Sequence, residues 1–380
     1  MKSEFKNLPS GWRVVKLEKV APLQRGYDLP TDNIKEGLYP VVYSNGILRF
    51  HNEFKAKAPG VITGRSGTIG KVVYVEEDYW PHNTSLWVTN FYDNNPKFIY
   101  YMYINLNLAR FSAGSGVPTL NRNDIHAQTI PLPPLDEQEK IAEILSTWDE
   151  AINLTINLIE SKKQFKKALM QNLLTAKIRF PEFQDEWREV TIGELFEFKK
   201  GQGLSKEMLD TNGKFECVLY GELYTTYDEI IENVKSRTNF QGSIKSKFDD
   251  ILIPSSTTTG SIDIAIAAVI LKNDVLLGGD INILRKKRNN IYGKFVAYCI
   301  TNIKNKELSS YAQGTTIIHL YAKDFKDMKI KLPNLQEQQK IAEVLTACDD
   351  EINLLNFKLE NLKKQKQGLI QKLLSGKVRI

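Results

Sequence analysis

The chain has 380 residues, of which 42% are hydrophobic and 25% charged, and its formal net charge is +6. This composition excludes a disordered chain and leaves room for two globular domains, while the mildly basic balance permits a nucleic-acid partner without requiring one. No apolar run reaches the roughly 18 residues of a membrane helix, and the N-terminal stretch lacks the apolar core of a signal peptide, so we expect a cytoplasmic protein without a membrane partner.

The first region, residues 1–131, is predicted to be a mixed α/β domain. Its stretch GVITGRSGTIGKVVYV is typical of a strand, a glycine-rich loop and a second strand. Such a loop offers hydroxyls, main-chain amides and cations to phosphates and base edges. The candidate contacts are Arg65, Ser66, Thr68 and Lys71. A nucleotide-binding P-loop is excluded because Val72 follows the lysine where serine or threonine is needed. A plain hairpin without contacts remains an alternative.

Two further stretches of this region carry candidate contacts. LQRG contributes one cation, and SAGSGVPTLNRNDI lies just before the first long helix. Asparagine, glutamine and arginine side chains can each bind a base edge through two hydrogen bonds. The candidates are Arg25, Ser115, Thr119, Asn121 and Arg122. Solvated turn residues are the alternative interpretation at every one of these positions.

Residues 132–180 are predicted to form a long helix that begins after LPPL. Asp136 with Glu139 suggests a capping box. Apolar residues recur at alternating spacings of four and three, which is typical of a coiled coil. The predicted pairing residues are Ile141, Leu145, Trp148 and Ile152. Polar residues interrupt this seam further along, at Thr155, Lys162 and Lys166.

The second region, residues 181–331, is predicted to repeat the design of the first as another mixed α/β domain. The stretch ILIPSSTTTGSIDIAIAAVIL aligns with the glycine-rich loop, and FKKGQG and SYAQGTTIIHLYAKDF align with the other two stretches. The candidates are Lys199, Lys200, Gln202, Ser255, Ser256, Thr257, Thr258, Gln313, Thr315, Thr316 and His319. Charge runs such as this lysine pair more often form solvated faces.

Residues 332–380 are predicted to form the second long helix. Asn334 with Glu337 suggests its capping box, and Gly376 suggests its C-terminal cap. The heptad pattern persists for more than four repeats. The predicted pairing residues are Ile341, Leu345, Ile352, Leu355 and Leu359. About 40 residues per helix correspond to about 60 Å. Two core helices of one large domain are the alternative.

The two helical segments are copies of each other, with about 23 identities in 49 positions at an offset of 200. A weaker similarity pairs the stretch at Trp12 with the stretch at Trp187. Because one region precedes the first helix and the other follows it, we expect the second helix to return antiparallel along the first. The predicted fold is therefore two α/β domains joined by two long antiparallel helices, with an internal pseudo-twofold repeat.

Signatures of catalysis are missing from the sequence. The four histidines are isolated from other metal-ligand residues, and no nucleotide, cofactor or methyltransferase fingerprint occurs. We therefore expect neither a bound metal nor a cofactor in this chain, and no reaction carried out by it.

The arrangement resembles the specificity subunit of type I restriction–modification enzymes over the whole chain. The resemblance is carried by LPPLDEQEKIAEIL and LPNLQEQQKIAEVL, by the helix ends LLTAKIRF and LLSGKVRI, by Trp12 and Trp187, and by GRSGTIG. It implies two target-recognition domains that each read half of an interrupted duplex DNA site. It also implies that the helices set the spacer and dock two methyltransferase subunits. PSSTTTG departs from the glycine-rich pattern because it lacks the arginine.

The same resemblance places adenine methylation and ATP-driven cleavage in partner subunits, with AdoMet, ATP and magnesium bound there, and a restriction or translocase subunit would complete the complex. The alternative is a coiled-coil adaptor that carries two ligand-binding heads and has no role at DNA.

Overall fold

The computed structural model describes residues 8–114 and 116–380, which form two compact units. Unit 1 is Met1–Asn157 with Asn356–Ile380, and unit 2 is Leu158–Leu355. Each unit thus combines one variable region with part of both long helices. The sequence predicted four consecutive domains with boundaries after residues 131, 180 and 331, so the compact units divide the chain differently.

Unit 1 contains short strands, two short helices and the beginning of a long helix. The strands are β1 (Arg13–Lys16), β2 (Leu23–Arg25), β3 (Tyr39–Tyr43), β4 (Gly46–His51), β5 (Gly60–Gly64), β6 (Val72–Val75), β7 (Trp80–Pro81), β8 (Ser85–Val88), β9 (Ser112–Ala113), β10 (Thr119–Leu120) and β11 (Thr129–Leu132). The helices are α1 (Pro96–Asn105), α2 (Arg122–His126) and α3 (Leu135–Leu173), which continues into unit 2.

The main sheet of unit 1 has the order β2-β8-β5-β6, and all three of its pairings are antiparallel. β5 is buried along its whole length, because its apolar residues face core on both sides. Phe98 and Tyr101 of α1 are among the buried side chains packed beside this sheet. A second sheet has the order β4-β3-β7, and β1 pairs with β11 just before α3 begins.

Unit 2 contains the rest of α3 and the start of the second long helix. The strands are β12 (Arg188–Thr191), β13 (Phe196–Lys200), β14 (Phe215–Val218), β15 (Ile230–Ile231), β16 (Ser236–Thr238), β17 (Ile244–Lys245), β18 (Asp250–Pro254), β19 (Ser256–Thr257), β20 (Ala268–Ile270), β21 (Leu276–Leu277), β22 (Ile281–Lys286), β23 (Ile318–His319) and β24 (Lys329–Leu332). The helices are α4 (Ile192–Leu195), α5 (Glu222–Thr225), α6 (Ser261–Ile264), α7 (Gly293–Asn302), α8 (Asn305–Ser310), α9 (Ala322–Phe325) and α10 (Leu335–Leu374), which continues into unit 1.

The main sheet of unit 2 repeats that of unit 1. Its order, β13-β22-β18-β20-β15, matches β2-β8-β5-β6 with one strand added at the edge. β12 pairs with β24 as β1 pairs with β11. The additional length of unit 2 includes a separate four-stranded sheet, β16-β14-β21-β17. The predicted mixed α/β class and the internal repeat are therefore confirmed.

Within each unit the two long helices run antiparallel. In unit 1, Asp149 of α3 forms an ion pair with Lys366 of α10. In unit 2, Lys162 and Lys166 of α3 pair with Glu351 and Asp349 of α10, respectively. As the residue number rises along α3, from 149 to 162 and 166, the number of its partner on α10 falls, from 366 to 351 and 349, as an antiparallel register requires. Within the described ranges, no helix combines the length and apolar character needed to cross a membrane.

The residues predicted to pair the two long helices are all buried or half-buried, but four of them pack into the core of a unit. Ile141 and Leu145 are buried in the core of unit 1, and Ile341 and Leu345 in the core of unit 2. The others are buried or half-buried along the helices: Trp148, Ile152, Ile352, Leu355 and Leu359.

The capping predictions were right at Asn334 and Gly376 and wrong at Asp136. Asn334 accepts a hydrogen bond from the main-chain amide of Glu337 at 2.9 Å, as expected of an N-cap. Gly376 ends α10 with φ +70°, and Ala176 takes the same conformation after α3 with φ +58°. The prediction for Asp136 was wrong, because α3 starts at Leu135 and this residue lies inside the first turn.

Candidate nucleic-acid interface

The glycine-rich loop of unit 1 meets the segment before α2 through main-chain hydrogen bonds. The amide of Arg65 donates to the carbonyl of Thr84 at 2.8 Å, and its own carbonyl accepts from the amide of Leu120, also at 2.8 Å. Ser66 forms a β-bridge with Thr119. Stretches that the sequence predicted as separate surfaces therefore lie together. We call them the unit 1 loop cluster, and it comprises residues 25–28, 44–46, 64–71, 82–84 and 117–121.

A chain of polar contacts links the two arginines of this cluster. Arg25 forms a 3.0 Å ion pair with Asp28, which also accepts a hydrogen bond from Asn83. The carbonyl of Asn83 accepts from Arg65 Nη1 at 3.3 Å. Because the Arg25 side chain remains 51% exposed, its guanidinium can still donate to a phosphate or a guanine edge.

Hydrogen bonds of Thr84 and Lys71 hold the rest of the cluster in place. Thr84 Oγ1 lies 2.9 Å from His82 Nδ1 and accepts a 3.3 Å bond from the amide of Ser44. Burial lowers the pKa of His82, so its imidazole is neutral at pH 7. Lys71 donates to the carbonyl of Asn45 at 2.6 Å, which ties the end of the loop to the β3–β4 turn.

Gly64, at the start of the loop, has no room for a side chain. An alanine Cβ there would lie 1.8 Å from the carbonyl oxygen of Thr68, whereas an alanine at Gly116 would meet nothing within 4 Å. We expect Gly64→Ala to destabilise unit 1 by about 1–3 kcal/mol and to expose the loop amides to hydrogen exchange. Gly116→Ala is the matched control. Equal protection of the loop in both variants would contradict this packing.

The remaining candidates of unit 1 lie at the edge of the cluster or outside the described residues. Asn121 caps α2 by accepting from the amide of Asn123 at 3.0 Å, and Thr119 Oγ1 donates to the Ala113 carbonyl at 3.2 Å. Thr68 and Arg122 are exposed. Ser115 lies outside the described residues.

Unit 2 repeats the main-chain pattern at the equivalent positions. The amide of Ser255 donates to Asp280 at 2.7 Å, and its carbonyl accepts from the amide of Leu320 at 3.0 Å. Ser256 pairs with His319 between β19 and β23. We call this the unit 2 loop cluster, and it comprises residues 199–202, 255–260, 278–280 and 313–323.

Burial corrects the candidate set of this second cluster. Ser255, Ser256 and Thr257 are only 2%, 5% and 2% exposed, because pairing between β19 and β23 places them inside the unit. Thr258 remains exposed, so the loop can present that side chain to a ligand and not the other three.

The other candidates of unit 2 are accessible. Lys200, 58% exposed, lies 3.5 Å from Asp280, which occupies the position of Thr84. Gln313 exchanges main-chain hydrogen bonds with His319 at 2.8 and 2.7 Å. The others are exposed: Lys199, Gln202, Thr315 and Thr316. Tyr321, which the sequence did not single out, stacks on His319 with ring centroids 5.7 Å apart.

Each long helix is anchored to its unit by a buried glutamate of the repeated sequence. In unit 1, Glu137 accepts from Trp12 Nε1 at 3.0 Å. In unit 2, Glu337 accepts from Trp187 Nε1 at 3.1 Å and from Arg179 at 2.9 and 2.7 Å. Both glutamates and both tryptophans were noticed in the sequence, but their partnership was not.

A lysine–aspartate–tyrosine network also occurs once in each unit. In unit 1, Asp149 accepts from Lys366 and, at 2.7 Å, from the hydroxyl of Tyr101 in α1.

The second network has the same composition in unit 2, where Asp349 accepts from Lys166 and, at 2.6 Å, from Tyr298 in α7. Burial and the aspartate raise the pKa of this tyrosine, so its hydroxyl remains a donor at neutral pH. In the sequence Lys166 interrupts the apolar seam; in the structure its contact with Asp349 joins α3 to α10 and, through Tyr298, to α7. Within the described residues no group of three or more histidine, cysteine or acidic side chains could hold a metal ion.

Comparison with known proteins gives matches over most of the chain. The family model for the type I restriction modification DNA specificity domain matches residues 9–161 and 184–364. The type I restriction enzyme MjaVIII specificity subunit of Methanocaldococcus jannaschii is 27% identical over 283 residues, which are 70% of this chain and 66% of the relative. The MjaIX specificity subunit of the same organism is 22% identical, with 100% and 97% of the two chains covered.

Among solved structures, the S subunit of a type I restriction–modification system from M. genitalium has a similar fold. Its TM-score is 0.65 at 19% sequence identity, and 97% of each chain is covered.

Proposed function

This chain belongs to the type I restriction–modification DNA specificity family, and from that membership we propose that each of its two units reads one half of an interrupted duplex DNA site. The chain selects the sequence and carries out no reaction itself. We place the complex in the cytoplasm, where the DNA of the host is accessible to it.

The observation that carries the proposal is the pair of loop clusters. The same main-chain hydrogen bonds hold residue 65 between residues 84 and 120 in unit 1, and residue 255 between residues 280 and 320 in unit 2. The accessible side chains of the two clusters nevertheless differ, with Arg25 replaced by Lys200 and Thr84 by Asp280. A conserved backbone with different polar side chains suits the recognition of two different base sequences.

The partners are inferred from the two long helices, whose sequence is repeated. Two methyltransferase subunits dock on the repeated helical segments, which expose apolar side chains at equivalent positions, Leu154 of α3 at 61% and Leu354 of α10 at 69%. AdoMet, ATP and magnesium then bind to partner subunits, with a restriction or translocase subunit completing the complex. The length of α3 and α10 sets the spacer between the half-sites. The family match does not favour the adaptor alternative.

Salt dependence of duplex binding tests the proposal. We expect the complete complex to bind a duplex that contains both half-sites, with an affinity that falls steeply as salt rises. Replacing Arg25 and Arg65 by serine should reduce the slope by about two, because each phosphate contact contributes about one. Arg13→Ser, at an exposed position on β1, is the control. Failure of the complete complex to bind the duplex at any salt concentration would instead support the adaptor alternative.

A further inference from the structure

The segment before the short helix α2 of unit 1 has a counterpart before α9 of unit 2. Residues 119 and 319 lie in equivalent short β-pairings, with Ala113 and Gln313 respectively. Residues 121 and 321 follow at the N-cap positions of α2 and α9. The two units therefore present four side chains from matched backbone positions. In unit 1 these are Thr119 and Asn121, and in unit 2 they are His319 and Tyr321.

In unit 1, local hydrogen bonds determine which donors and acceptors of Thr119 and Asn121 remain available to a base. The Asn121 side-chain oxygen is occupied by the amide of Asn123 at 3.0 Å, so the cap directs the NH₂ group elsewhere. Because the cap fixes the oxygen towards the Asn123 amide, it disfavours the two-bond contact with adenine, which needs the oxygen and the NH₂ group together on one base edge. The NH₂ donors fit an acceptor edge, such as guanine O6 or thymine O4.

In unit 2, the same positions carry an aromatic platform. The His319 and Tyr321 rings are nearly parallel, with an angle of 12° and centroids 5.7 Å apart. Lys323 Nζ lies 5.6 Å from the centroid of the Tyr321 ring. Each ring limits the motion of the other, and Tyr321 remains 38% exposed. Such a platform suits apolar contact with a thymine methyl group, with the lysine ammonium available to a phosphate.

We propose that residues 119 and 121 determine the base preference of unit 1, and residues 319 and 321 that of unit 2. This inference rests on the proposed function, in which each unit reads one half-site. The neighbouring loop of unit 2 cannot take this role through Ser255, Ser256 or Thr257, because these side chains are buried. Thr119, Asn121 and Tyr321 are exposed and His319 is half-buried, and the side chains at these positions differ in chemistry between the two units.

The test exchanges the side chains between the units in the complete complex. H319T/Y321N is made in unit 2 and T119H/N121Y in unit 1, and methylated sites are mapped by sequencing on a randomised duplex library. We expect each exchange to reduce methylation of the native motif about tenfold or more, and to alter one or two base positions in one half only. Native motif preference in both exchanges, or changes in both halves at once, would overturn the proposal.

The substitution Asn121→Asp changes base recognition while keeping the N-cap that α2 needs. An aspartate keeps one oxygen for the cap and replaces the free donors by an acceptor, so the preferred base edge should change from an acceptor to a donor such as cytosine N4. An unchanged base preference with this variant would also overturn the proposal.

The control is K329T/E189N, which replaces an exposed ion pair of the same unit, with side chains 60% and 55% exposed. This variant should retain the native motif. Deleting the gene distinguishes failure of the wider proposal. If deletion leaves every methylated motif in place, the proposed function itself fails. If deletion removes a motif that the exchanges leave unaltered, only the assignment of these four residues fails.

Discussion

Glu337→Ala is expected to lower the free energy of unfolding of unit 2 by about 3–5 kcal/mol. The Glu337 side chain is fully buried and accepts three hydrogen bonds, two from Arg179 and one from Trp187. Removing the carboxylate leaves both donors facing a cavity at the start of α10. Urea unfolding and hydrogen exchange of the amides at residues 335–345 would measure the loss.

Glu343→Ala is the matched control on the same helix. That side chain is 72% exposed, and its ion pair with Lys340 spans 3.7 Å, so its removal should change stability by less than about 1 kcal/mol. Equal destabilisation by the two substitutions would contradict the anchoring role of the buried carboxylate.

Removing one heptad from each long helix is expected to change the spacing of the recognised DNA site. Residues 154–160 and 354–360 are equivalent in the repeat, and neither segment contains an anchoring glutamate or a residue of the lysine–aspartate–tyrosine networks. The deletion keeps the heptad phase and shortens each helix by about 10 Å, which corresponds to about 3 base pairs.

The measurement is methylation of a duplex series in which the two half-sites are fixed and the spacer length varies. We expect the deletion variant to lose the native spacer and to prefer spacers about 3 base pairs shorter. Exchanging the two heptads between the helices preserves their lengths and serves as the control. Methylation of the native spacer at an undiminished rate by the deletion variant would contradict the proposal that helix length sets the spacing.

Much of the architecture could be predicted because it is repeated in the sequence. The long helices show as a heptad pattern, and their antiparallel pairing follows from the order of the segments. The helix starts were found because proline punctuates them, although Pro134 and Asn334 make the two caps different. Both signals are local, so they can be recognised in a single sequence.

The buried polar contacts could not be predicted, because their partners are distant in the sequence. Asp149 is separated from Lys366 by 217 residues, and heptad periodicity does not show which side chains meet across two helices. The network that contains these residues forms only when α1, α3 and α10 pack together within one unit. The same holds for Trp12 and Glu137, which are 125 residues apart.

The candidate contacts were predicted with uneven success for a similar reason. Serine and threonine after a strand indicated a polar loop, and in unit 1 that loop is accessible at Thr68. In unit 2 the pairing of β19 with β23 buries Ser256 and Thr257, and pairing between segments that are distant in the sequence leaves no local pattern. Tyr321 was missed because its role depends on stacking with His319.

The central claim is that this chain selects one interrupted DNA motif, with one half assigned to each unit. A genome-wide map of N6-methyladenine in the native host, with and without the gene, tests it most directly, together with a strain in which residues 8–131 come from another family member. We expect the deletion to remove one asymmetric interrupted motif and the replacement to alter one half of it. A map that the deletion leaves unchanged, or a replacement that alters both halves, would contradict it.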